Sequence, residues 1–420
     1  MTETQLIPHL FRTEYSRITA VLSKLFGLDN VEAAEDLASE TFLVAVETWP
    51  YKGIPKNPTA WLYTVAKNKA KNYLKHHQIF SDKIAVQVKS DMPSADKMEI
   101  DLSEKNITDS QLQMLFAICH PSVSVESQIS LALRILCGFG IDEIADAFLT
   151  NKVTISKRIF RAKEKLRNQK VEIAFPGNDE IENRLETVLR TIYLLYSEGY
   201  YSEREDTVIR KELCLEAMKL NYLLLQNEQT NNHSTNALMA LMCFHTSRID
   251  ARQNENGELI LYENQEESLW NKELIEKGNY HLQKAAEWKV ASKYFLEASI
   301  AYWHTIKEDS KEKWENILRL YNYLLQLEYS PIAALNRTFA LSKACGKREA
   351  IMEAEKLKLD QNHFYFLLLA ELYKDVDNTK IKPNLEKALT LAKTQAERKV
   401  IQAKIDSVTF QQTPNNFTGN

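Results

Sequence analysis

Glycine and proline are scarce, with ten of each in 420 residues. Few helix breakers beside many Leu, Ala, Lys and Glu residues argue against a turn-rich β architecture and predict an almost all-α protein. Cysteine is scarce too. The five thiols stand at Cys119, Cys137, Cys214, Cys243 and Cys345; no two form a CxxC pair, and the count is odd. That spacing excludes a disulfide framework or a zinc site and predicts buried thiols in a reducing compartment. No apolar run reaches the roughly 18 residues of a membrane span. The segment MTETQLIPHLFRTEYSR has polar and charged residues where a signal peptide needs an apolar stretch. A cytoplasmic location without membrane contact is therefore expected. The chain also lacks a nucleophile motif, metal-ligand spacing and a Gly-rich phosphate loop, so no catalytic residue, metal or cofactor is expected.

What is present is ample apolar material, 44%, and 26% charged residues, which suits two or three packed helical domains. The net charge of −4 hides a strong asymmetry. Residues 29–47 hold Asp29, Glu32, Glu35, Asp36, Glu40 and Glu47 and no base, whereas residues 152–170 hold eight Lys or Arg residues and one acid, Glu164. Such a division suits two partners, one basic and one a polyanion.

Residues 7–78 read as a first helical unit, 79–109 as a polar linker, and 110–170 as a second, smaller unit. A hinge at Phe175-Pro176-Gly177-Asn178 precedes a long helical extension over 180–407. Within it, Asn256-Gly257 and the alternating ELILYE suggest a small hairpin between Arg252 and Glu263. Helix pairs are expected near 285–327, 331–357 and 363–395, with Ala298, Ala340, Ala370 and Ala388 where helices must approach closely. Their spacing is irregular around the tetratricopeptide period, so the extension reads as TPR-like.

Three segments carry chemistry. In Gly140–Arg167 a short helix through DEIADAF, a turn at Leu149-Thr150-Asn151 and a longer basic helix form a helix-turn-helix. Ile155, Ile159, Ala162 and Leu166 make its core stripe. Lys152, Thr154, Ser156, Lys157, Arg158, Arg161, Lys163 and Lys165 occupy the other faces, the division that a major-groove reader needs. In Pro58–His77, Leu62, Val65, Ala66, the Lys69 stem and Tyr73 lie towards one side, and Thr64, Asn68, Lys71, Asn72 and Lys75 share a polar, basic one. Trp61 and Tyr63 stand at its start and suit either contact with unstacked bases or a core. In Ala34–Trp49, Leu37, Thr41, Val44 and Thr48 track one side, Phe42, Ala45 and Trp49 widen it, and Glu35, Asp36 and Glu40 sit in the first turns. That helix reads as a solvated acidic end or as a docking face for a basic helical partner.

The order of these parts discriminates further. DLASETFLVAVETW, AWLYTVAKNKAKNYLK and GFGIDEIADAFLTNKVTISKRIFRAKEKLR resemble regions 2 and 4 of the extracytoplasmic-function (ECF) group of the sigma-70 family, over about residues 7–168. RLETVLRTIYLLYSEGY, ENGELILYENQEESLWN and SPIAALNRTFALSKACG resemble its subgroup with a TPR-like C-terminal extension. Ser39 stands where the family's acidic helix commonly has Gln. The resemblance implies that Glu35, Asp36 and Glu40 bind the β′ clamp helices of core RNA polymerase. It implies a flipped base held by the loop Tyr51–Thr59, and an exposed −10 strand met by Trp61, Asn68, Lys71, Asn72 and Lys75. It also implies −35 DNA read by Lys152, Thr154, Ser156, Lys157, Arg158 and Arg161. The alternatives are a helix-turn-helix regulator with a helical sensor domain, or a TPR-type adaptor.

In the extension, Glu198, Gly199 and Arg210 read as a capped helix end with a turn. His245, Arg248, Asp250 and Arg252 read as a buried or helix-terminal polar cluster. Surfaces of stacked helix pairs usually bind other protein faces, so an unidentified protein or ligand is the expected partner there.

Overall fold

The computed structural model describes residues 3–84, 99–148, 150–200, 210–252, 260, 262–392 and 395–412. Every regular element among them is a helix. The expected hairpin falls largely on 253–259 and 261, and Leu149 of the expected turn is likewise outside the described residues. By packing, the chain divides into one unit of residues 1–195 and 222–230 and another of 196–221 and 231–420.

The first unit holds α1 (Glu3–Phe26), α2 (Val31–Lys52), α3 (Pro58–Ile84), α4 (Glu104–Ile118), α5 (Val125–Leu131), α6 (Ile141–Ala147) and α7 (Lys152–Asn168). α5 runs on into a π-helical turn, Ala132–Leu136. Tyr15, Ile18 and Leu22 of α1 pack with Ala34, Ala38, Phe42 and Trp49 of α2 and with Leu62, Ala66 and Ala70 of α3. Two expected boundaries move. The expected linker 79–109 is shorter, because α3 continues to Ile84 and α4 starts at Glu104. Ser103 caps α4 by accepting the Asn106 amide, and Asp101 accepts the Ser103 amide at 2.8 Å, so these polar residues terminate a helix. The expected loop Tyr51–Thr59 shrinks to residues 53–57, since α2 runs on to Lys52 and Pro58 begins α3. Gly53 makes that exit at φ +79, a conformation open to few side chains.

The helices α8 (Ile181–Tyr200) and α9 (Lys211–Leu225) have residues in both units. The division therefore does not fall at the hinge near 175–180. Arg184 donates to the Phe116 carbonyl at 2.7 Å, Thr191 donates to the buried Gln128 side chain at 2.6 Å, and Phe175 meets Phe116 edge-on at 5.2 Å. The start of the extension is thus part of the first unit's core.

The second unit contains α10 (His233–Thr246), α11 (Lys272–Ala286), α12 (Lys293–Trp303), α13 (Lys311–Leu327), α14 (Pro331–Ala344), α15 (Lys347–Leu357), α16 (His363–Tyr373), α17 (Ile381–Leu391) and α18 (Gln395–Gln412). From α12 onward each helix packs on the next one in the chain. The alanines at 298, 340, 370 and 388 are all buried. Asn232, Asn271, Ser292, Ser310, Ser330 and Asn362 each cap the helix that follows with a side-chain acceptor, which explains the regular starts. Gly199 lies inside the last turn of α8, not in a turn beyond it; a Cβ there would stand 2.9 Å from Cys214 Sγ. A Cβ on Gly278 would meet the buried Phe244 ring at 2.5 Å. Gly278→Ala is therefore expected to cost the second unit about 1–3 kcal/mol through overpacking, seen as a lower thermal midpoint in tryptophan fluorescence. An unchanged midpoint would show that Phe244 can give way.

Four of the five thiols are buried, and Cys345 is exposed, against the expectation of uniform burial. Burial pushes Cys119, Cys214 and Cys243 up to about 12, so none is a thiolate near neutrality. No helix among the described residues is long and apolar enough to cross a membrane.

Candidate nucleic-acid and polymerase interface

The site is built from three helix faces of the first unit. On α2 the buried stripe is Val31, Ala34, Ala38, Thr41, Phe42, Ala45 and Trp49. It is rotated from the expected one: Leu37, Val44 and Thr48 are only half-buried. The opposite face exposes Asp36, Ser39, Glu40, Leu43, Val46 and Glu47. Glu40 accepts from Lys69 of α3 at 2.7 Å, an exposed pair of small energetic weight. Leu43 and Val46, 55% and 49% exposed, add apolar area to this acidic strip. The expected docking set did not include them.

Glu35 departs from expectation. It is buried, and its carboxylate accepts from Arg134 Nε at 2.8 Å and from Lys163 Nζ at 2.5 Å. Lys163 also lies 3.3 Å from Glu32, and Arg167 pairs with Glu32 and donates to the Leu28 carbonyl at 3.1 Å. These contacts clasp α7 to the start of α2. Burial alone would raise the Glu32 carboxyl, but Lys163 and Arg167 outweigh it and hold that group below its ordinary value. Lys163 is thus not on the outward face of α7, because its ammonium is spent on an acid far away in sequence.

On α3, Thr64, Asn68, Asn72 and Lys75 are exposed along one side, with Lys71 half-buried beside them. Trp61 is half-buried and lies edge-on to the buried Trp49, with ring centroids 5.4 Å apart. Tyr63 is fixed otherwise: its hydroxyl donates to Glu14 at 2.6 Å, and burial together with that carboxylate pushes its ionisation upward. It is held to α1 and belongs to the core network.

On α7, Ile155, Ile159, Ala162 and Leu166 are buried as the periodicity predicts. Asn151 caps the helix, accepting the Thr154 amide at 2.8 Å. Lys152, Thr154, Lys157 and Arg161 are exposed, while Ser156 and Arg158 are half-buried, with Arg158 over the Phe148 ring at 5.9 Å. Lys152 pairs with Asp142 of α6 at 2.9 Å, in full solvent. The exposed face carries cations near the helix start, where a major-groove reader needs them. No group of His, Cys, Asp and Glu that could hold a metal occurs among the described residues.

In the second unit the expected polar group is dispersed. His245 is buried and lies 3.2 Å from the Tyr200 hydroxyl; burial, then Arg248, Arg252 and His304, push its ionisation well down. Asp250 is exposed and pairs with Lys211 at 2.8 Å. Arg252 lies over the Tyr200 ring at 4.0 Å. Arg248 lies over the Tyr262 and Trp270 rings, at 5.4 and 5.9 Å.

Comparison with known proteins fits this layout. Residues 10–79 match sigma-70 region 2, which spans most of α1 to α3, and residues 184–286 match a family of unknown function, DUF6596. An uncharacterized protein of Rhizobium meliloti (strain 1021) is 30% identical over 385 residues, covering 90% of each chain. No solved structure matches the chain. Sigma-70 proteins are transcription initiation factors, not enzymes, and they act with core RNA polymerase on promoter DNA. With region 2 built from α1 to α3, the chain belongs to the sigma-70 family.

Proposed function

We propose that this chain is a cytoplasmic ECF-type sigma factor that directs core RNA polymerase to promoters through both a −10 and a −35 element. Its acidic-apolar strip Asp36, Glu40, Leu43 and Val46 docks on the clamp helices of the β′ subunit. Trp61, Asn68, Lys71, Asn72 and Lys75 of α3 meet the opened −10 strand, where stacking and phosphate contacts stabilise unpaired bases. Lys152, Thr154, Ser156, Lys157, Arg158 and Arg161 of α7 read −35 DNA. Residues 180–407 form a TPR-like extension that modulates activity, by holding the DNA-binding parts or by receiving a protein or ligand. The observation that supports this reading best is that one unit exposes an acidic-apolar strip and a basic helix start at once.

The polymerase assignment is tested by Asp36→Lys with Glu40→Lys. Reversing both charges on an exposed face should leave helicity intact and weaken co-purification with core polymerase at least tenfold, roughly 1.4 kcal/mol. Undiminished binding by that double variant removes the assignment. If the wild-type chain binds promoter DNA but not core polymerase, a helix-turn-helix regulator replaces this reading.

A further inference from the structure

Buried charge without a partner is costly, so a buried cation that lacks an acceptor asks for an explanation. Arg248, just beyond α10, is 7% exposed. Its Cζ lies 5.4 Å from the Tyr262 ring centroid and 5.9 Å from that of Trp270. Ring faces attract the charge but accept none of the five N–H groups in the usual way. Among the described residues its buried Nε has no hydrogen-bond partner and its guanidinium no ion pair. The Trp270 indole N–H, in a residue 4% exposed, also lacks an acceptor among the described residues.

Two further cations share this space. Lys313, in the first turn of α13 and 1% exposed, donates to the Ile306 carbonyl at 2.5 Å and the Tyr262 hydroxyl at 3.0 Å, which leaves one ammonium proton over. Lys307 spends its protons on the carbonyls of Tyr262, Glu263 and Gln265 at 2.9–3.0 Å. Neither lysine pairs with a carboxylate among the described residues. Asp309 is occupied by the Trp314 indole N–H and by Lys343 at 3.1 Å, and Glu267 is exposed. His304 supplies no counter-charge: burial, then Arg248 and Lys313, hold it neutral down to about 3. Burial and the neighbouring cations likewise push Lys313 down to about 8, with Asp309 opposing.

We propose that Arg248, Lys313 and Trp270 form a binding site in the second unit for a small oxyanion, the phosphate or carboxylate group of a metabolite. A guanidinium fork, an indole N–H and an ammonium proton match the several acceptor oxygens of such a group. A cationic guest is excluded by the surrounding charge, and the Tyr262 and Trp270 faces are already covered by cations. This site does not depend on the sigma-factor reading.

The test is thermal unfolding of the full chain followed by tryptophan fluorescence, since Trp270, Trp288, Trp303 and Trp314 all lie in the second unit. Sodium phosphate and sodium citrate are compared with sodium chloride at equal ionic strength. An oxyanion should raise the midpoint by about 3–5 °C for each tenfold beyond its Kd. Phosphate alone acting identifies a phosphoryl group, citrate alone a carboxylate, and either supports the site. Arg248→Met should keep or raise the midpoint in chloride, because a buried charge with no counter-ion among the described residues is gone, and should abolish the oxyanion increment. Trp270→Phe, which keeps a ring but loses the N–H, should fold normally and shrink the increment. Three results overturn the proposal: no oxyanion increment in the wild type, an equal increment in both variants, or a chloride midpoint for Arg248→Met several degrees below wild type. The last would mark the arginine as structural.

Discussion

Glu35→Ala is expected to destabilise the first unit by about 3–5 kcal/mol, the usual cost of removing one partner from a buried ion pair. The change leaves Lys163 Nζ buried with only Glu32, 3.3 Å away, and strands the Arg134 Nε as well. By contrast the half-exposed pair Arg12–Glu143 should contribute about 0–1 kcal/mol. Adding Lys163→Met to Glu35→Ala should recover much of the loss, because the uncompensated charge is then gone. Urea unfolding read by hydrogen exchange over residues 31–52 and 152–168 measures both. Equal midpoints for wild type and Glu35→Ala would mean that the clasp carries no weight. The pH dependence has a definite sign. The Glu32 carboxyl is held below its ordinary value of 4.5, so its contribution is present above that value and fades as pH falls through the lowered one. The clasp should loosen in acid, not in base.

The second large effect concerns the exposed face of α7. Replacing Lys157, Arg158 and Arg161 together by alanine should cost about 3 kcal/mol or more in −35 binding, given roughly 1–3 kcal/mol for each good base contact. The three residues should not behave alike. Lys157 and Arg161 are exposed, and whichever meets a phosphate should lower the salt slope by about one unit when removed and weaken binding to all sequences. A base reader should instead relax preference at one promoter position. Arg158 also covers Phe148, so its removal should cost about 0.5–1 kcal/mol of folding stability besides. Footprints and salt slopes measured on single and triple variants separate these outcomes. If the triple variant footprints like the wild type with an unchanged slope, α7 is not the reader.

Local rules carried the sequence reading a long way. The 3.6-residue period placed Ile155, Ile159, Ala162 and Leu166 on the buried side of α7, and scarce glycine and proline foretold a helical chain. The same rules misplaced the stripe of α2 by part of a turn. That helix is covered on more than one side, and small residues such as Ala34 and Ala38 bury as deeply as large ones. They also set the extension apart at a hinge. The first turns of α8 bury against Phe116 and Gln128, contacts that a local pattern does not record.

The helical class and the periodic core stripe of α7 were determined by the sequence alone, because side-chain spacing on a cylinder is a local property. The partners of charges were decided only by the tertiary structure. Lys163 and Glu35 are 128 positions apart, and each looked like an exposed surface charge until α7 packed on α2. Arg248, Trp270 and Lys313 likewise come from separate segments, and the absence of a counter-ion among them exists only once those segments share one low-dielectric space.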